Sequence, residues 1–309
     1  MSKAPSDKKV LLFVVLLCGV CGFLLAVFAY GLQRPQKEAK EFDESKQMLI
    51  AAKILKEDGT FQLLTEKGAT PAAFDPSTKT LIPSEISTKA TKEEVKEIAL
   101  LRIRPLLTTK EGSVFSLEEK NITLSAYLSE NKKAGYAELP LKLFYAILPN
   151  DPEVYGLAAS DVAKQLNKVE MVIIPVSGFG LWAPIYGFLA ISNNGDEVIG
   201  TTWYEHAETP GLGANITEPW WQKQFYHKVI FQESPDGSTD FKTANMGIIV
   251  VKGKVRDVFG TTPRAKSAVD GMSGATLTGD GVTQAYRNSL TPYRAFFIKL
   301  RSEEKKNGP

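Results

Sequence analysis

The sequence predicts an α+β protein: an antiparallel sheet with flanking helices, preceded by one N-terminal transmembrane helix. Three observations carry that expectation. The run from Val10 to Leu32 is apolar and carries no charge. Strand-like segments between about 142 and 204 follow one another instead of alternating with helices. Two helical segments then close the chain, so strands and helices segregate.

The Val10–Leu32 run would extend roughly 34 Å as a helix, enough to cross a hydrocarbon layer with some tilt. Lys8 and Lys9 stop it on one side and Arg34-Pro35 on the other, with Tyr30 near one interface. The run exceeds a signal-peptide core and no clean cleavage site follows, which favours an uncleaved span. Lys and Arg flank both ends, so charge leaves the orientation open. Cys18 and Cys21 share one helix face and read as small hydrophobes at a helix contact with Gly19 and Gly22.

Glu38 to Leu55 has helical spacing of Phe42, Met48, Leu49, Ala52 and Leu55, ending at Lys56–Gly59. Residues 33–67 form the expected membrane-proximal helical region. Residues 68–133 are polar, with few strong strands and one short helix over Glu93–Leu101, and read as a peripheral insert. From 134 the pattern changes. Lys142–Leu148, Glu170–Val176, Ile185–Ile191 and Glu197–Tyr204 read as strands, the last two joined at Asn193–Asp196 as a hairpin. Met246–Val251 reads as a further strand, Trp220, Trp221 and Phe225 as helix core, and Gly281–Leu290 and Tyr293–Arg301 as the closing helices.

Composition excludes several functions. The 37 Lys and Arg against 35 Asp and Glu give a net charge of +2, without the basic excess that nucleic-acid binding requires. Two Cys and two His are too few for a four-ligand zinc or iron–sulfur site, or for a disulfide framework.

Three stretches can carry chemistry. Asp270–Asp280 (DGMSGATLTGD) is rich in glycine and hydroxyls and leads into a helix. Free amides at such a helix start suit a phosphate group, and a plain capping turn would have the same composition. The stretch is neither a Walker loop nor a Rossmann turn. Glu205–Gly213 (EHAETPGLG) sets a turn at Pro210-Gly211, from which Glu208 and Thr209 can point into a cleft. His206 there reads as a hydrogen-bonded structural residue. Ser177–Pro184 (SGFGLWAP) places Trp182 after a glycine turn, where it could floor a planar ligand or belong to the core. No nucleophile triad is visible.

In that order, GFGLWAPIYGFLA (178–190), HAETPGLG (206–213), WWQKQF (220–225) and DGMSGATLT (270–278) resemble the C subunit of the sodium-translocating NADH:quinone reductase. The G subunit of the ferredoxin:NAD electron-transport complex carries a similar flavin motif and is the alternative. The resemblance covers the span and roughly 170–290, and every position of the motif D-x-x-[ST]-G-A-T-x-[ST] is filled.

The resemblance implies a covalent FMN joined by a phosphoester to the motif's last hydroxyl, Thr278. Asp270, Ser273, Gly274, Ala275, Thr276 and Leu277 would shape its approach. Glu208, Thr209, Gly211, Leu212 and Trp182 would line the flavin. Thr278 has no visible base of its own, so attachment implies a separate flavin transferase, and the phosphate would meet a helix beginning near Asp280. The implied partners are the other subunits of a membrane-bound quinone reductase complex, which relays electrons to quinone and exports sodium. Residues 1–9 would be a cytoplasmic tail, 10–32 the span, and 134–309 a periplasmic FMN-binding domain. No dinucleotide motif is present, so the protein by itself is expected not to oxidise NADH. A membrane-anchored, non-redox anion-binding module is the rival from another class.

Overall fold

The computed structural model describes residues 7–65 and 68–307. Residues 1–6 of the expected cytoplasmic tail lie outside that range. The chain divides between Glu44 and Ser45 into two units.

The first unit is helical. It comprises most of α1 (Asp7–Ala51), the one helix among the described residues that is long and apolar enough to cross a membrane. Its large apolar side chains from Val10 to Leu32 are exposed. The helix does not stop at Arg34-Pro35, where the apolar run stops. Pro35 lies inside it. A proline removes one backbone hydrogen bond from a helix interior, and the helix-forming residues on both sides carry the chain across it.

The second unit begins with the last turns of α1, where Met48–Ala51 are buried. In chain order its elements are β1 (Phe61–Thr65), β2 (Gly68–Asp75), β3 (Thr80–Pro83), α2 (Lys92–Arg102), β4 (Ile103–Thr108), β5 (Val114–Ser116), α3 (Leu124–Asn131) and β6 (Lys142–Ile147). There follow α4 (Pro152–Tyr155), α5 (Ala159–Lys164), β7 (Met171–Phe179), β8 (Pro184–Ser192), β9 (Val198–Glu205) and α6 (Pro219–Gln222). The chain ends with β10 (Ile249–Val250), α7 (Val255–Phe259), β11 (Ala268–Val269), α8 (Thr276–Leu290) and α9 (Arg294–Asn307).

The main sheet has the order β5-β4-β6-β7-β8-β9, with every neighbouring pair antiparallel. The β8–β9 hairpin follows the expected boundaries, and its turn is held by Asn194 Oδ1, which accepts from the Asp196 and Glu197 amides. Two expectations are corrected. The 68–133 stretch is no strand-poor insert, because it contributes β4 and β5 to this sheet and β2 and β3 to a separate three-stranded one. β4 is hard to read locally. It follows α2 without a linker and contains Pro105, which pairs with Tyr145 on β6 at a position β5 does not reach. The strand expected over 246–251 shrinks to β10, which pairs in parallel with β11 outside the main sheet.

Helix α2 matches its expected position, and a capping box explains its start: the Thr91 hydroxyl accepts from the Glu94 amide while Glu94 accepts from the Thr91 amide. Arg102 ends it fully buried. Its Nε donates to the Leu148 carbonyl at 2.8 Å and its Nη2 pairs with Glu170.

Helix α8 lies directly on β7. Gly178 makes this possible, since a Cβ there would sit 2.5 Å from the Ala285 Cβ. Ser289 Oγ accepts from the Ser177 amide at 3.1 Å, and the Tyr286 hydroxyl meets Thr201 Oγ1 at 2.7 Å. Tyr293 donates to the Leu143 carbonyl at 2.6 Å. Trp221, Phe225, Phe296 and Phe297 fill the same core. Trp220, expected inside, is half exposed.

Candidate functional site

Three segments build the site. The first is the β7–β8 turn, Gly180–Ala183, closed by the Gly180 amide donating to the Ala183 carbonyl at 2.9 Å. The second is the loop from His206 to Gly213 after β9. The third is the loop from Asp270 into the first turn of α8.

Glu208 joins them. It is 5% exposed. Its Oε1 accepts from the Leu181 amide at 2.8 Å and the Trp182 amide at 3.3 Å, and its Oε2 accepts from the Thr278 hydroxyl. Thr278 therefore does have a carboxylate beside it, which local sequence did not reveal. It is also sequestered: Thr278 is 1% exposed, and a Cβ on Gly213 would lie 2.5 Å from its Oγ1. His206 Nδ1 accepts from the Glu208 amide at 3.2 Å, the structural role expected of it.

Helix α8 begins at Thr276, four residues before the expected start near Asp280. Ala275 is its N-cap and makes no side-chain cap bond, so the hydroxyls around it do not form a capping turn. The first intrahelical bond runs from the Gly279 amide to the Ala275 carbonyl. The amides of Thr276, Leu277 and Thr278 precede it and have no carbonyl in the helix to reach. They supply the positive end of the helix dipole.

The motif's hydroxyls differ in access. Ser273 and Thr276 are exposed. Both line a cleft of about 490 Å³ together with Gly274, Ala275, Lys252 and Lys254, and the half-exposed Trp220 forms part of its wall. Thr278 and Glu208 do not line it. Leu277 is 62% exposed. Leu212 packs over Gly274, where a Cβ would come within 2.9 Å of its Cδ2. Gly211 takes φ +73°, which suits glycine in the tight turn after Pro210. Trp182 is not a core residue. It is 65% exposed, with its indole Nε1 donating to Thr209 Oγ1 at 3.2 Å.

Asp270 faces elsewhere. Its carboxylate accepts from the Val255 amide at 2.8 Å and from Lys254 at 3.0 Å, tying down the 252–255 wall of the cleft. Partial burial pushes its pKa up, but the Val255 amide, Lys254 and Lys228 outweigh this and hold it below the ordinary aspartate range. Lys252, Lys254, Gly180 and Gly213 were not among the expected site residues. The lysines sit in no pattern, and the glycines matter only through a carboxylate distant in sequence.

Residues 180–291 match the FMN-binding domain family, a segment that runs from the β7–β8 turn to the end of α8 and contains every candidate site residue named above. Over 292 residues the chain is 45% identical to the C subunit of the Na(+)-translocating NADH-quinone reductase of Chlamydia caviae, covering 94% of this chain and 92% of that one. The chain belongs to the family of Na(+)-translocating NADH-quinone reductase C subunits. A Yersinia pestis member of this family is 31% identical, over 98% of this chain and 96% of its own. A crystal structure of Shewanella oneidensis NqrC has 22% identity and a TM-score of 0.47, covering 69% of this chain and 90% of that chain. Membership of the C-subunit family decides against the G-subunit alternative.

Proposed function

We propose that this chain carries a covalent FMN and relays electrons within a sodium-translocating NADH:quinone reductase, with the phosphoester on Thr276 and not on Thr278. The carrying observation is the exposure of Thr276 at the first position of α8, on the cleft, inside the segment that matches the FMN-binding domain. Thr278, the last hydroxyl of the motif, is 1% exposed and lies against Gly213 and the Glu208 carboxylate.

The residues present fit FMN. A phosphate on Thr276 would meet the amides that precede the first intrahelical bond, in a cleft also lined by Lys252, by Asp280 and by Lys254, which pairs with Asp270. Ser273, Gly274 and Ala275 keep the approach low. Trp182, Leu212 and Leu277 offer exposed apolar surface for a planar ring, and Thr209 fixes the Trp182 indole. When bound, FMN supplies the one- and two-electron redox chemistry. The chain supplies attachment, orientation and charge.

Sodium passage belongs to other members of the complex, since the Val10–Leu32 run contains no charge to line an ion path. The reading further places the N-terminus in the cytoplasm and residues 45–307 in the periplasm, with a separate flavin transferase forming the ester. The chain alone would not oxidise NADH.

The test is to coexpress the full chain with a flavin transferase, denature it, and measure intact and peptide masses. The expected result is a gain of one FMN less one water, mapped to Thr276 and lost in Thr276→Ala. Mapping to Thr278 would return the ester to the motif's last hydroxyl, with Glu208 as its proton acceptor. An unmodified chain, beside a control substrate that is modified, would overturn the covalent reading and favour the anion-binding module.

A further inference from the structure

The start of α8 poses a physical problem. A helix N-terminus is usually held by a Ser, Thr, Asp or Asn side chain that accepts from the first free amides. Such a cap would occupy the amides a phosphate needs. Here the N-cap is Ala275, which leaves them free and leaves the first turn unpinned. The turn is held instead from its third residue, through the Thr278 hydroxyl on Glu208 Oε2. The other oxygen of the same carboxylate holds the Leu181 and Trp182 amides of the neighbouring turn. Gly180 and Gly213 both lack a side chain where this carboxylate sits. A carboxylate this buried carries a desolvation cost that its three hydrogen bonds must offset. None of them goes to Thr276.

We infer that Glu208 is a positioning residue for flavin loading. Through Thr278 it pins the first turn of α8 without consuming its amides, and so holds the Thr276 hydroxyl toward the cleft. This inference rests on the reading that Thr276 carries the FMN.

The test uses the purified full chain in detergent with a flavin transferase, and follows the loading rate by intact mass. Thr278→Val keeps the side-chain shape without the hydroxyl, and Thr278→Ser keeps the hydroxyl. Glu208→Ala removes the acceptor. Loading of Thr278→Val and Glu208→Ala is expected to slow about tenfold or more, the scale of a misplaced reacting group. Thr278→Ser should load at close to the wild-type rate. Amide exchange should accelerate at residues 276–279 in Thr278→Val while the β7 and β8 amides keep their protection. Wild-type loading in Thr278→Val, or a Thr278→Ser variant as slow as Thr278→Val, would overturn the inference. If Glu208→Ala does not fold, the Thr278 pair still decides. Wild-type chain that gains no FMN on Thr276 would instead remove the underlying reading. The exchange measurement needs no flavin, and unchanged exchange at 276–279 in Thr278→Val would by itself overturn the pinning role.

Discussion

The Thr278 hydroxyl donates to the Glu208 carboxylate across 70 residues of sequence, and both groups are buried. One contact thus connects the helix that carries the glycine-rich motif to the loop after β9. Thr278→Val leaves a buried carboxylate oxygen without its donor. The expected cost is about 1–3 kcal/mol, the penalty of one unsatisfied buried polar group. Urea denaturation of the full chain in detergent, followed by tryptophan fluorescence, measures it, and Thr278→Ser should recover most of the loss.

The seating of α8 predicts a second effect. In Gly178→Ala the new methyl would lie 2.5 Å from the Ala285 Cβ, so helix and strand must separate. Overpacking of this kind costs about 1–3 kcal/mol. The urea midpoint should fall without a change in slope. Flavin loading should fall with it, because the displaced helix carries Thr276.

Arg102 predicts a third. Its guanidinium is buried, donates to the Leu148 carbonyl and pairs with Glu170. Arg102→Met keeps the apolar stem but strands the carboxylate. Breaking a buried pair costs about 3–5 kcal/mol, and the one-third exposure of Glu170 places this case at the low end. A drop in Tm of several degrees is expected, with the far-ultraviolet circular dichroism of the folded state unchanged.

Asp270 predicts a pH dependence. Its folded-state pKa is depressed, so the unfolded chain binds more protons than the native one in the acid range. Its contribution to stability is therefore present above the unfolded value near ~4 and is lost as pH falls through the folded value. Asp270→Asn keeps an acceptor for Val255 and loses the charge. Wild type should exceed Asp270→Asn in stability at neutral pH, and the difference should shrink steadily below about pH 4. A difference that stays constant with pH would show that the hydrogen bond, not the charge, holds the 252–255 loop.

Local pattern carried much of this protein. An uncharged apolar run as long as Val10–Leu32 declares a helix because a single segment in an apolar layer can satisfy its backbone only with intrahelical bonds. The β8–β9 hairpin declares itself because two strand-forming runs flank an Asn-Asn-Gly-Asp turn. The α2 helix begins at a Thr-x-x-Glu capping box. The ordered GLW, ETPGLG and SGAT stretches carry the family resemblance within the sequence itself.

Other features are absent from any local window. β4 joins the main sheet because β6 pairs with it about forty residues later, and Pro105, which hides its character, lies where the short β5 does not reach. The stretch leading into α8 is anchored at Asp270, which is tied to Gln224, Trp221 and Val255. Ser273, Thr276 and Thr278 are alike in composition. Folding buries Thr278 against Glu208 and turns Thr276 to the cleft, because packing between distant segments decides which hydroxyl meets solvent. The sequence supplied the chemical groups, and the long-range contacts set which of them a ligand can reach.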